Sequence, residues 1–248
     1  MKLLMLDIET SPNVVFSWGL FNQNHSIDQI ESSSRTICFS AQWLGSKDVM
    51  YYGLDTHSER DMIKAAHKLL SEADAVIHYN GKKFDIPTLN KEFVRLGLKP
   101  PSPYKQIDLY QTIKSQFKFT SNKLDYVAQQ LGIGKKVEHK GMQLWLGCMN
   151  GDSESWRVMQ EYNIQDCALL ESLYNKLLPW IPNHPNRATY SGTFCCTNCG
   201  SSNVKKDGFA YTTMGRFQRY ECKACGTWPR DNINLNKGIK PKIVIARN

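Results

Sequence analysis

Four carboxylates stand where this chain should have apolar core, and it can fold around them only if something balances their charge. In the stretch 154–181, Met159, Tyr162, Asp166, Leu170, Leu173 and Leu177 recur at three- and four-residue spacing. On a helix those positions form one face. The face is apolar except for Asp166 and the tyrosine one turn before it. Asp7 and Glu9 lie two apart at the end of "KLLMLDIET" (2–10), an apolar run that predicts a buried strand. Period two puts both acids on one side of a sheet. Asp85 closes "HYNGKKFD", just after a second short apolar run. A buried, unpaired carboxylate is costly, and four that converge also repel. Convergence makes sense around cations. Hard divalent ions such as Mg²⁺ are held by a few carboxylates plus substrate phosphates. Two such ions about 4 Å apart clamp the attacking and leaving oxygens of phosphoryl transfer. Each acid taken singly has a plainer reading. "DIE" is common on strands, Asp85 before Ile-Pro could cap a helix, and Asp166 could make a buried hydrogen bond.

The elements around the acids read in a consistent order. "TICFSAQWL" (36–44), "DVMYYGL" (48–54), "DAVIHYN" (74–80) and "KQIDLY" (105–110) read as further strands. "SERDMIKAAHKLLSEA" (58–73) is a helix with Ser58 as N-cap, and "IPTLNKEFVRLGL" (86–98) is another. The chain to 181 is otherwise helical, broken at Gly132–Gly134 and Asn150–Gly151. Three strands followed by βα units predict an α/β fold, a mixed sheet flanked by helices. Residues 11–35 are polar and take no assignment. The expected organisation is a domain over 1–181, a proline-bearing linker over 182–194, a cysteine module over 195–230 and a basic tail over 231–248. The tail contains one apolar run, Ile243–Val244–Ile245.

Charge separates the two halves. The chain of 248 residues carries a formal +8, and residues 183–248 hold 11 Lys/Arg against 3 Asp/Glu, so the excess lies wholly in the C-terminal quarter. A basic segment beside a neutral body suits a polyanionic partner, most often nucleic acid. A solubilising tail would show the same charge. No apolar run reaches the length of a membrane span, and Asp7 and Glu9 interrupt the N-terminal run, which argues against a secretory signal. Cytoplasmic localisation is expected, and there the eight cysteines are thiols or metal ligands.

"CTNCG" (196–200) and "CKACG" (222–226) are two CxxC knuckles with 22 residues between them. Cys196, Cys199, Cys222 and Cys225 suit one structural Zn²⁺, so 195–230 reads as a four-cysteine zinc ribbon; Cys195 could take the place of Cys196, though the two-residue spacing favours Cys196. Cys38, Cys148 and Cys167 read as core residues. Between and after the knuckles, Lys205, Lys206, Arg216, Arg219, Lys223 and Arg230 interleave with Phe209, Tyr211, Phe217, Tyr220 and Trp228. Cations for phosphates and rings for bases suit sequence-tolerant binding of single strands. None of the six histidines has metal-ligand spacing.

"LDIET" (6–10), "YNGKKFDIP" (79–87) and "YNIQD" (162–166) resemble the three exonuclease motifs of the DEDD superfamily of 3′→5′ exonucleases, which have a ribonuclease H-like fold. The set is similar to the proofreading domains of family B DNA polymerases and to free-standing phage exonucleases, and it covers about residues 1–181. "SNKLDYVAQQLGIGKK" (121–136) resembles the helical segment those proteins carry between the second and third motifs. The resemblance implies a site of two Mg²⁺ or Mn²⁺ ions. In it Asp7 bridges both, Glu9 and Asp166 complete the first, and Asp85 serves the second. One subfamily has a His five residues before the last Asp, where this chain has Glu161. The other has a Tyr four residues before it, where this chain has Tyr162, so the tyrosine subfamily is implied, with Tyr162 positioning water. Thr10 and Asn80 would contact nucleic acid. Asp108, a fifth acid at a strand end, reads as supporting. Lys135 and Lys136 could reach phosphates but read as solvated lysines beside a glycine turn.

The expected activity is 3′→5′ hydrolysis of DNA, with single-stranded ends favoured, alone or beside a separate polymerase. An RNA exonuclease on the same scaffold, a structure-selective endonuclease and a non-catalytic DNA- or polymerase-binding protein are the alternatives.

Overall fold

The computed structural model describes residues 1–236 and residue 238. It divides into two compact units, Met1–Asn175 and Lys176 onward. The rest of the tail, including Ile243–Val244–Ile245, lies outside the described residues.

The first unit runs β1 (Leu3–Thr10), β2 (Val14–Val15), β3 (Ile30–Ser32), β4 (Thr36–Trp43), β5 (Val49–Gly53), α1 (Glu59–Glu72), β6 (Ala75–His78), α2 (Asp85–Arg95), β7 (Lys105–Asp108), α3 (Leu109–Gln116), α4 (Leu124–Gln130), α5 (Met142–Met149) and α6 (Ser153–Leu177), whose last turn passes into the second unit. The main sheet has the order β5-β4-β1-β6-β7. β1 is its middle strand, antiparallel to β4 and parallel to β6. This is the expected mixed five-stranded sheet with helices on both faces.

The position of β1 explains its sequence. A central strand covered on both faces needs a continuous apolar run, and Leu3, Leu4, Met5, Leu6 and Ile8 are all buried. Leu4, Leu6 and Ile8 pack with Met62, Ala66 and Leu70 of α1 and Leu89 and Phe93 of α2. Period two turns Asp7 and Glu9 the other way. On that face Ile37 and Cys38 of β4 pack with Trp156, Met159 and Tyr162 of α6. The apolar stripe of α6 is therefore a core stripe: Met159, Leu170, Leu173 and Leu177 are buried, and so is Asp166.

Local signals set the element ends. Ser58 caps α1 by accepting from the Asp61 amide. β7 stops at Asp108, two residues before the expected end, because its carboxylate caps α3 through the Gln111 amide. The unassigned stretch 11–35 folds back on itself, with Val14–Val15 pairing antiparallel to Ile30–Ser32. Asp85 does not cap α2, whose N-cap is Phe84. No helix among the described residues is long and apolar enough to cross a membrane.

The second unit contains the short α7 (Ala188–Ser191), then β8 (Val204–Thr212), β9 (Gly215–Cys222) and β10 (Arg230–Asn234), which form an antiparallel sheet of order β10-β9-β8. β10 falls where the tail was expected to begin.

Candidate functional site

The end of β1 and the middle of α6 bring three acids together. One carboxylate oxygen each from Asp7, Glu9 and Asp166 lies within 4.8 Å of the others. Asn163, fully buried on α6, pins the pair of elements: its Nδ2 donates to the Asp7 carbonyl at 3.2 Å and to Asp7 Oδ2 at 2.7 Å. Sequence reasoning missed this residue, although its place three before Asp166 puts it on the same buried face. Asp85 is buried beside the cluster but outside the close trio. Its Oδ1 accepts from the Ile8 amide at 3.1 Å. Thr10 ends β1 just after Glu9.

The second motif forms a tight turn. Asn80 adopts a left-handed backbone, φ 66°, and its amide donates to Asp108 Oδ1 at 2.9 Å. The Gly81 amide donates to His78 Nδ1, so His78 and Asp108 together stitch this turn to the sheet. Asp108 is structural here, as expected. Asn80 lines an open cavity of roughly 600 Å³ together with Asp7, Tyr79, Tyr110, Asn122 and Lys136.

Lys136 departs from expectation. Instead of standing solvated beside the glycine turn, it is largely withdrawn from solvent, and its Nζ pairs with Asp166 Oδ2 and lies 2.9 Å from the Tyr162 hydroxyl. The Asp125 carboxylate fixes its backbone, accepting from the Lys136 amide at 2.9 Å. Lys135 points outward to Glu138. The only sequence signal for Lys136 was the run of glycines that bends this segment, with Gly132, Gly134 and Gly141 all at positive φ. Tyr162 is further held edge-on by His139, 4.9 Å away, and by Trp145 at 6.2 Å.

The electrostatics disfavour four ionised carboxylates in one place. Burial first, then repulsion from Asp166, Glu9 and Asp85, raises the Asp7 carboxyl far above the usual carboxylate range. Burial pushes Glu9 up to about 8 against the pull of Lys136. It pushes Asp85 up to about 7, opposed by the Ile8 amide. Asp166 is raised by burial as well, with Lys136 opposing. Asp166 Oδ1 is buried without a hydrogen-bond partner among the described residues. A convergent set of hard oxygens, one of them an orphan, fits Mg²⁺ or Mn²⁺.

The sign of the resulting pH dependence follows from these shifts. Carboxyls whose folded pKa lies above the unfolded value stabilise the fold below the unfolded pKa, and that contribution is lost as pH rises through the folded pKa. Lys136 stays charged throughout and does not alter the sign. Without divalent metal, the thermal midpoint of the first unit should therefore fall between pH 5.5 and 8.5, chiefly as Asp85 and Glu9 ionise near 7 and 8. Adding Mg²⁺ should raise the midpoint more at pH 8.5 than at 5.5. Calorimetry in matched buffers checks both, and equal Mg²⁺ effects at the two pH values would contradict the site.

In the second unit the Cys196, Cys199, Cys222 and Cys225 sulfurs cluster within 4.8 Å. The Cys196–Cys225 and Cys199–Cys222 separations are 3.7 and 3.6 Å. Zn–S bonds of about 2.3 Å in a tetrahedron give edges of about 3.8 Å. Burial alone would push the Cys222 thiol up, but the amides of Cys225 and Ala224 help hold it at about 7. Cys195 stays outside and contacts Ser191 instead, so the two-residue spacing from Cys196 prevails. Cys38, Cys148 and Cys167 are buried, as expected of core thiols.

A mixed five-stranded sheet whose middle strand ends in two acids, facing a third on a covering helix, defines the ribonuclease H-like class of α/β proteins. The RNase_H_2 model of the RNase_H superfamily matches residues 4–178, and the chain belongs to that superfamily. Over 72% of its length it is similar in fold to the family B DNA polymerase from the hyperthermophilic archaeon Pyrobaculum calidifontis, with a TM-score of 0.56 and 17% identity. The match spans 24% of that polymerase chain. No curated protein shows a significant match to this chain.

Proposed function

We propose that the chain is a metal-dependent 3′→5′ exonuclease of the tyrosine type, acting in the cytoplasm on DNA and preferring single-stranded ends. The observation that carries this reading is the convergence of Asp7, Glu9 and Asp166 beside Tyr162. Asp7, Glu9 and Asp166 would hold one Mg²⁺ or Mn²⁺, with Asp7 shared and Asp85 serving a second. Such ions supply the positive charge that attacking and leaving oxygens need. The chain's own groups do the positioning. The Tyr162 hydroxyl, braced by Trp145 and His139, orients the attacking water. Lys136 offers its ammonium to the phosphate being cut. Thr10 and Asn80 hold the terminal nucleotide, which the cavity beside Asp7 can receive. The cysteine unit, with one Zn²⁺, adds affinity for nucleic acid. The similar fold within a polymerase chain supports a separate polymerase as a partner.

DNA and RNA oligomers of one sequence, with a circular single strand alongside, test the substrate class. DNA should be shortened fastest and the circle should stay intact. Faster loss of RNA favours the ribonuclease alternative, and a nicked circle favours an endonuclease. Binding without any cleavage would leave only the non-catalytic reading.

Tyr162→Phe removes one oxygen and keeps the edge-on ring contacts with His139 and Trp145. It should slow turnover on the order of a hundredfold, while the Mg²⁺ dependence of thermal stability stays as in the unaltered protein. A fully active variant would remove the water-positioning role.

A further inference from the structure

Building on the reading of the cysteine unit as a nucleic-acid module, we propose that one face of its sheet, formed by Lys206, Phe209, Tyr211 and Arg216, binds single-stranded nucleic acid by stacking on unpaired bases and pairing with their phosphates. Across β8 and β9, Tyr211 lies opposite Arg216, Phe209 opposite Gln218, and Lys206 opposite Tyr220. Directly opposed residues share a face. The other face carries Lys205 opposite Glu221, and Arg230 opposite Arg219.

The two faces differ in what is already used. On the second face, the Arg219 guanidinium lies 3.5 Å from the Asp207 carboxylate and its Nε donates to the Asp207 carbonyl at 3.0 Å. Glu221 faces Lys205 and also pairs with Lys223. The rings there are covered, Trp228 by Arg219 at 4.8 Å and Phe217 by Arg230 at 4.1 Å.

On the first face, no carboxylate pairs with Lys206 or Arg216 among the described residues. Asp231, at the cysteine end, bonds the Tyr220 hydroxyl instead. Arg216 lies 4.6 Å over the Phe209 ring, which orients the guanidinium and leaves Tyr211 as the open ring of this face; the Arg216 Nε is buried there without a hydrogen-bond partner among the described residues. Tyr211 beside it is 72% exposed, with no ring or guanidinium over it among the described residues. This face therefore offers an open ring next to two cations free of acidic partners.

That combination selects the ligand. A duplex keeps its bases stacked inside, so a ring on an open sheet finds no partner there. An unpaired base does stack, whatever its identity. A guanidinium without an acidic partner suits the adjoining phosphate.

The test is a fluorescence-anisotropy titration of the full zinc-loaded chain with labelled oligodeoxythymidylate, in an Asp7→Asn background that leaves ends uncut. Tyr211→Ala and Arg216→Gln should each raise Kd about tenfold, and Arg216→Gln should flatten the salt dependence. Tyr211→Phe should bind as the parent does. Lys205→Gln and Lys223→Gln should shift Kd by no more than about twofold. Cobalt substitution, giving the same thiolate absorption in every variant, confirms an intact fold. Losses confined to the Lys205 and Lys223 variants would overturn the choice of face and leave the nucleic-acid reading standing. A blunt duplex losing as much affinity from Tyr211→Ala would overturn the single-strand assignment. No effect from any of the four sites would overturn both the proposal and the reading it rests on.

Discussion

Asp7→Asn should lose turnover by at least about 10³-fold while the metal-free protein becomes as stable as the parent or more so. The two outcomes have one cause. Asp7 is raised by burial and by three neighbouring carboxylates, and Lys136 offsets only part of this. An amide of the same shape removes the charge and the repulsion together. It can still accept from Asn163, which holds Asp7 at 2.7 Å. The fold therefore loses little, whereas the ligand that the proposed metal ions would share is gone. A gain in stability with loss of function is the mark of a site built for cations rather than for packing. Mg²⁺ should also stop raising the thermal midpoint at pH 8.5. Single-turnover assays and metal-free calorimetry on one preparation check both halves. A destabilised variant with residual activity near the parent would assign Asp7 to the core.

Cys222→Ser should unfold the second unit and leave the first intact. Among its described residues, the second unit buries few apolar side chains: Leu177, Leu178, Ile181, Tyr220, Cys196 and Cys222. So small a core does not hold a three-stranded sheet alone. Structural zinc contributes about 10–16 kcal/mol of apparent binding energy in small modules, and that energy is folding energy. Cys222 is fully buried at the end of β9, so its replacement removes a zinc ligand and disturbs a packed strand end together. Amide spectra of the variant, or of the parent after chelation, should show β8 and β9 collapsed and β1 unchanged. Dispersed β9 signals after chelation would mean that the sheet folds without metal.

The parts legible from sequence were those where a regular element makes a polar residue anomalous. Asp7 and Glu9 stood out because a central strand should be apolar throughout. Asp166 stood out because period 3.6 put it on a core stripe. Tyr162 followed from the same period. The cysteine set was legible because two knuckles bring four thiols together by spacing, with only the choice of Cys196 over Cys195 left to the fold. Lys136 was not, since it lies in an irregular segment between α4 and α5 whose path is set by glycines at positive φ and by Asp125. Asn163 was hidden for the opposite reason: a buried amide on a helix announces no partner until the partner strand is in place. The faces of the second sheet were also illegible. Which cations Asp207 and Glu221 neutralise depends on strand register and on an irregularity between Lys206 and Phe209.

The central claim is polarity-specific hydrolysis by the acidic centre. It is tested most directly by incubating one single-stranded DNA oligomer, labelled at the 5′ end in one reaction and at the 3′ end in the other, with the zinc-loaded protein and Mg²⁺. The account predicts a descending ladder from the 5′-labelled strand, immediate release of labelled mononucleotide from the 3′-labelled strand, and neither with Asp7→Asn. Mononucleotide released first from the 5′ end, or equal cleavage by Asp7→Asn, would contradict it.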